Sequence, residues 1–130
     1  MSAPKKEIVL TEGAPKPIGP YSQAVQAGNL LFCSGQIPLD AKTGQISAQD
    51  VEGQTRKVME NIAAVLQAGG SAFDQVVKTT IFLKSMGDFP KVNEIYGSYF
   101  KPDPPARSTV EVSRLPKDVL VEVEIIALVG

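Results

Sequence analysis

Residues 119–129, VLVEVEIIALV, constrain the fold of this chain more than any other stretch. Period-two alternation puts Val119, Val121, Val123, Ile125 and Ala127 on one face of a strand and Leu120, Glu122, Glu124, Ile126 and Leu128 on the other. The first face is wholly apolar and has to meet a core. The second sets two carboxylates among large aliphatics. Open water would leave it a contiguous apolar patch, and a dry core would leave its carboxylates without partners. An interface between subunits that encloses a polar pocket meets both demands, so a sheet covered by helices on one face and by another copy on the other is expected.

The elements before it supply the helices. Residues 1–17 are rich in Pro and Gly, which favours an extended arm. Two short apolar runs flank Gly28-Asn29 between residues 24 and 35, the pattern of a hairpin with Gly at the positive-φ position. Residues 40–45 form a polar turn, and Ser47 with Asp50 three residues on is a helix N-cap pattern. Val51, Thr55, Val58, Met59, Ile62, Val65 and Leu66 recur at spacings of three and four, predicting a helix that Gly69-Gly70 stops. The β-branched run 76–83 predicts a strand. Asp88 is placed to cap a second helix with a Phe89, Val92, Tyr96, Tyr99 stripe, ending near Phe100 before Pro102, Pro104 and Pro105. Residues 107–113 and 119–129 alternate around the turn 115–118 and are expected to pair antiparallel. The whole reads as one α+β domain spanning residues 1–130, a mixed sheet with two helices on one face.

Composition removes most catalytic chemistries. The 130 residues contain no histidine, which excludes Ser-His-Asp and Cys-His arrangements, a His base and His-ligated metals. The single cysteine, Cys33, leaves no internal disulfide and no zinc cluster, a usage suited to a reducing compartment, with the cytoplasm as the expectation. In an apolar strand it reads as a small core residue. Thirteen Lys plus Arg against fourteen Asp plus Glu give a net charge of −1, so nothing draws the chain as a whole onto nucleic acid or anionic lipid. No apolar run reaches the ~20 residues of a membrane span, and no signal-peptide pattern follows Lys5 and Lys6.

Proton transfer is therefore left to carboxylates, tyrosines, lysines and water. In the strand at 107–113, Val110 and Val112 are expected to meet the helices, with Arg107, Thr109 and Glu111 on the uncovered face. Arg107 follows Pro104-Pro105-Ala106, which limits its backbone, and a fixed guanidinium offers a planar fork for a carboxylate or phosphate. A cross-sheet pair with Glu122 or Glu124 is the alternative, and spacing alone does not separate the two.

The motifs IGPYSQA (18–24), SGQIP (34–38), VVKTTIFL (76–83), VNEIY (92–96), PARSTVEV (105–112) and RLPKDVLVEVEIIAL (114–128) together resemble the RidA family, also called YjgF or the perchloric-acid-soluble protein family, the enamine/imine deaminases. The resemblance implies a chorismate-mutase-like fold and homotrimers whose sheets form a central barrel, with ligand sites in the clefts between subunits. It maps the family's site onto Tyr21, Ser34, Asn93, Arg107, Thr109 and Glu122. Arg107 would hold the carboxylate of a 2-imino or 2-enamino acid, Glu122 would direct the attacking water, and Tyr21, Ser34, Asn93 and Thr109 would line the pocket. Some members carry cysteine at the Thr109 position, so a thiol nucleophile there is no part of the chemistry expected here. No cofactor and no metal is implied, because such imines already hydrolyse in water and positioning is sufficient help. Two other roles stay open: a regulatory trimer that binds 2-keto acids without turnover, and an endoribonuclease or translation inhibitor. The charge balance and the lack of a basic-aromatic cluster disfavour the latter.

Overall fold

The computed structural model describes residues 5–130; the first four residues of the expected arm lie outside it. Strands β1 (Lys6–Val9), β2 (Ala24–Ala27), β3 (Leu30–Gln36), β4 (Val76–Leu83), β5 (Ala106–Glu111) and β6 (Val121–Leu128) form one sheet in the order β1-β2-β3-β6-β4-β5. Helices α1 (Val51–Ala68) and α2 (Phe89–Gly97) pack together on one of its faces. Their stripe of Val58, Met59, Ile62, Val65, Leu66 and Val92 meets Leu31, Ile81, Leu83, Val121, Val123, Ile125 and Ala127 in a single core. That is the α+β architecture the alternation and the helical stripe require.

Local chemistry sets most boundaries. Gly28 takes a left-handed φ of 61° in the hairpin between β2 and β3. The cap of α1 is Asp50, whose Oδ2 accepts from the Gly53 amide at 3.3 Å, one turn later than the Ser47 pattern suggests. Asp88 stands at the N-cap of α2 but its side chain caps nothing; Ser85 instead caps the 3-10 turn Met86–Asp88 that leads into the helix. Helix α2 closes at Gly97, so Tyr99 stacks on Phe73 from beyond its end (ring centroids 5.1 Å apart). Part of the expected arm is itself a strand: β1 pairs antiparallel with β2 and extends the sheet.

Two expectations about the last strands are overturned. First, β5 and β6 are not partners. β5 runs parallel to β4 at the sheet edge, as the β4-α2-β5 crossover dictates, while β6 inserts antiparallel between β3 and β4. The most apolar strand takes the centre, and the short, polar β5 takes the edge, where its unpaired side costs least. Second, the faces of β5 are reversed. Its register sets Arg107, Thr109 and Glu111 beside Thr79, Ile81 and Leu83, the residues of β4 that face the helices. Val110 is on the other face and 41% exposed.

The face away from the helices carries Ile126 and Leu128 with Glu122 and Glu124, as the alternation of residues 119–129 foretold, and Phe32 of β3 joins them opposite Ile126. Phe32 is 43% exposed and Leu128 37%.

Candidate functional site

Glu122 sits where β3 is irregular. The register runs from Cys33 opposite Ile125 to Gln36 opposite Val123, so Ser34 and Gly35 together face Glu124 alone. This extra residue is a β-bulge, which bends β3 away from the ladder. Gly35 then lets the Glu122 side chain lie against the backbone: a Cβ added there would stand 2.9 Å from Glu122 Cδ and 3.1 Å from its Cγ. Burial pushes the Glu122 carboxyl above the ordinary glutamate value, and the like charge of Glu124, about 7 Å further along the same face, adds to the shift.

A cleft of about 470 Å³ opens beside this carboxylate. Tyr21 and Ser34 line it with Glu122, as do Lys16, Gly35 and Lys117. Its N-terminal wall is fastened by Gln23, almost wholly buried, whose Nε2 donates to the carbonyls of Pro15 (2.9 Å) and Thr11 (3.0 Å) while its Oε1 accepts from the Thr11 amide (2.7 Å). Asn61 of α1 fastens the far wall by donating to the carbonyls of Ile37 (3.1 Å) and Leu39 (3.0 Å). Ser34 spends its proton on the carbonyl of Ser22 at 2.5 Å, so its oxygen is left to accept. Tyr21 is half exposed at the rim.

The other three candidates gather elsewhere. On α2, Phe89, Asn93 and Tyr96 share a face through their i, i+4, i+7 spacing. Arg107 lies across that face with its Cζ 5.2 Å from the Phe89 ring centroid and 5.1 Å from that of Tyr96, and its Nη1 donates to Asn93 Oδ1 at 2.6 Å. The tyrosine beneath it shares a hydrogen bond of 2.6 Å with Thr79, and burial raises its pKa, so a neutral ring supports the cation. Among the described residues no other side chain engages the guanidinium, and most of its fork is open. Two positions along β5, Thr109 Oγ1 is buried without any hydrogen-bond partner. A hydroxyl in that state normally awaits one.

The six residues thus fall into two incomplete halves. Tyr21, Ser34 and Glu122 lie with the cleft; Asn93, Arg107 and Thr109 lie on the helix side of the sheet, with β4 between β5 and β6. The cross-sheet pair of Arg107 with Glu122 or Glu124 is not formed, because the two strands are not neighbours and the side chains leave opposite faces. Cys33 is buried with its thiol pKa pushed up to about 12 by desolvation, which makes it inert at neutral pH. Gly35, Gln23 and Lys117 escaped sequence reasoning. A lone glycine inside the strand pattern of residues 30–36 was the available signal for the bulge, whereas nothing local marks Gln23 or Lys117.

Among the described residues no group of three or more acids or cysteines is placed to hold a metal, and no helix is long and apolar enough to cross a membrane.

Comparison with known proteins agrees with this architecture. The family described as Endoribonuclease L-PSP matches residues 11–129. A RutC family protein of Pyrococcus horikoshii is 60% identical over 122 residues, 94% of this chain and 97% of that protein. The chloroplastic Reactive Intermediate Deaminase A of Arabidopsis thaliana is 48% identical over 126 residues, 97% of this chain and 67% of that protein. The crystal structure of Escherichia coli TdcF with bound serine is similar with a TM-score of 0.90 at 42% identity, covering 95% of this chain and 99% of that one. Fold, motifs and relatives agree that this chain belongs to the endoribonuclease L-PSP family, the RidA/YjgF family.

Proposed function

We propose that the protein hydrolyses reactive 2-enamino and 2-imino acids to 2-keto acids and ammonia, in homotrimers whose clefts join Tyr21, Ser34 and Glu122 of one copy to Asn93, Arg107 and Thr109 of the next. The observation that carries this reading is the complementary incompleteness of the two halves. One has a held cation with an open fork and an unpartnered hydroxyl; the other has a carboxylate in a cleft with no cation among the causes of its pKa shift. The apolar residues beside Glu122 and Glu124 on the uncovered face supply an area that a neighbouring copy would bury. A plant relative named as a reactive intermediate deaminase and a bacterial one crystallised with serine, itself a small α-carboxylate, point the same way.

In this scheme the substrate carboxylate takes the free fork of Arg107, which fixes C2 against Glu122. An enamine first tautomerises to the imine. Water then adds to C2 as Glu122 takes one of its protons and passes it to the nitrogen, giving a carbinolamine; Glu122 next takes the hydroxyl proton and gives it to the same nitrogen, and the C2–N bond breaks as C2=O forms and ammonia departs. The raised pKa of Glu122 makes it a stronger base than an ordinary carboxylate.

The experiment is release of 2-keto acid from an imine generated in situ, with buffer and wild type compared at equal imine flux. No acceleration over buffer would retire the enzyme and leave the keto-acid-binding trimer. The shared site has its own test. Arg107→Ala and Glu122→Gln subunits, unfolded together and reassembled at equal ratio, should regain about a quarter of wild-type activity, because one cleft in four then draws both intact residues from adjacent copies. Activity no higher than that of either variant alone would place the two residues in separate sites.

Gly35→Ala tests the bulge. The added methyl displaces the Glu122 carboxylate while pointing away from the core, so kcat/KM should fall between about tenfold and a hundredfold with little change in melting temperature. Unchanged kinetics would show that the contact with Gly35 does not set the position of Glu122.

A further inference from the structure

The cleft holds two cations that the reaction above does not use. Lys117 lines it from the 3-10 turn Pro116–Asp118, and Lys16 from the N-terminal wall. Lys117 has φ 56° and ψ 19°, and Asp118 follows at φ 58°, two consecutive left-handed residues of which neither is glycine. Such a backbone persists only where its surroundings impose it. Here they do: Leu115 and Val119 are buried on either side, and Arg114 clamps Asp118 through Nε (2.6 Å) and Nη2 (3.0 Å). The clamp engages both oxygens of the neighbouring Asp118 carboxylate. The backbone before Lys16 is held through Pro15, whose carbonyl accepts from Gln23.

Neither lysine has an acidic partner within salt-bridge distance among the described residues. Neither figures among the causes of the Glu122 shift, so they are not counter-ions of the general base. The half of the cleft that one copy supplies also has room before the next copy's residues enter: the six non-hydrogen atoms of 2-iminopropanoate, each granted the ~30 Å³ share of a water molecule, fill less than about half of it.

We propose that the cleft selects 2-imino and 2-enamino acids whose side chain ends in a second carboxylate, with Lys117, supported by Lys16, receiving that distal group while Arg107 holds the first. The assignment rests on the deaminase reading and deepens it. Two anionic ends held at separate points also fix the orientation of the C=N bond, which a single carboxylate contact leaves free to turn.

The test compares imines generated in situ from aspartate or glutamate with those from alanine or 2-aminobutyrate, using wild type and Lys117→Asn, a replacement that tolerates the left-handed backbone. Wild type should show the higher kcat/KM on the dicarboxylates, a preference that shrinks as ionic strength rises. In Lys117→Asn the ratio of dicarboxylate to monocarboxylate kcat/KM should fall about fivefold, as for one partly screened charge pair. A second readout covers a variant that fails to fold: wild type should bind 2-oxoglutarate more tightly than 2-oxobutanoate, again with salt dependence. Turnover of both classes without preference, a salt-independent preference, or an unchanged ratio in Lys117→Asn would overturn the assignment and leave the deaminase standing. Turnover of neither class would overturn both.

Discussion

Arg107→Ala is expected to lower kcat/KM for imine hydrolysis by a hundredfold or more, with the melting temperature nearly unchanged. The guanidinium is exposed at a sheet edge, so its removal uncovers the Phe89 and Tyr96 rings, a loss of about 0.5 kcal/mol at such a site, and leaves Asn93 Oδ1 free to take water. What disappears is a charge-assisted, two-pronged grip on the substrate carboxylate, about 3 kcal/mol and therefore about a hundredfold. Arg107→Lys should recover only part of it. An ammonium keeps the charge but lacks the planar fork that Asn93 orients and the stacking on Phe89 and Tyr96. Full activity in Arg107→Ala would show that the carboxylate is held elsewhere.

The second large effect is Glu122→Gln, for which kcat should fall about a hundredfold, the usual contribution of a positioned general base. Its signature is the pH profile. Glu122 works only when ionised, so kcat/KM of the wild type should rise with pH through a value above the ordinary glutamate 4.5, and the amide variant should lack that limb. The same shift appears in stability. A carboxyl whose native pKa is raised binds protons more tightly folded than unfolded, so its contribution is fully present below the unfolded pKa and is lost as pH rises through the folded one. Glu122→Gln should therefore lose less melting temperature than wild type across that window. A variant that kept both the limb and the wild-type rate would remove Glu122 from the mechanism.

What could be read without coordinates follows physical range. The stripe from Val51 to Leu66 and the Gly28-Asn29 hairpin are local: spacing and one glycine specify them, and the structure has both. The two faces of residues 121–128 were legible because a central strand buries one side completely. β5 defeated the same method. At an edge neither face is fully buried, so Val110 and Arg107 carry no signal of which side the helices occupy, and the parallel pairing with β4 is decided by α2 between them. β1 was hidden by a Pro- and Gly-rich context whose extended tendency is equally that of a coil. At the site, the identities of Arg107 and Glu122 came with the family motifs. Their separation onto opposite faces required the strand order, which no spacing rule contains.

That strand order bears on how the protein is made. β6 follows every other strand in the chain yet lies between β3 and β4, so until it has emerged from the ribosome the nascent polypeptide holds two unjoined fragments of sheet, each with an open edge beside apolar side chains. The lengthy loop closures that join them are deferred to the final act of folding, which makes the interval before it the one in which a chaperone has something to protect. The carboxylate of Glu122 arrives on that same strand, and so no partly synthesised chain carries a finished cleft.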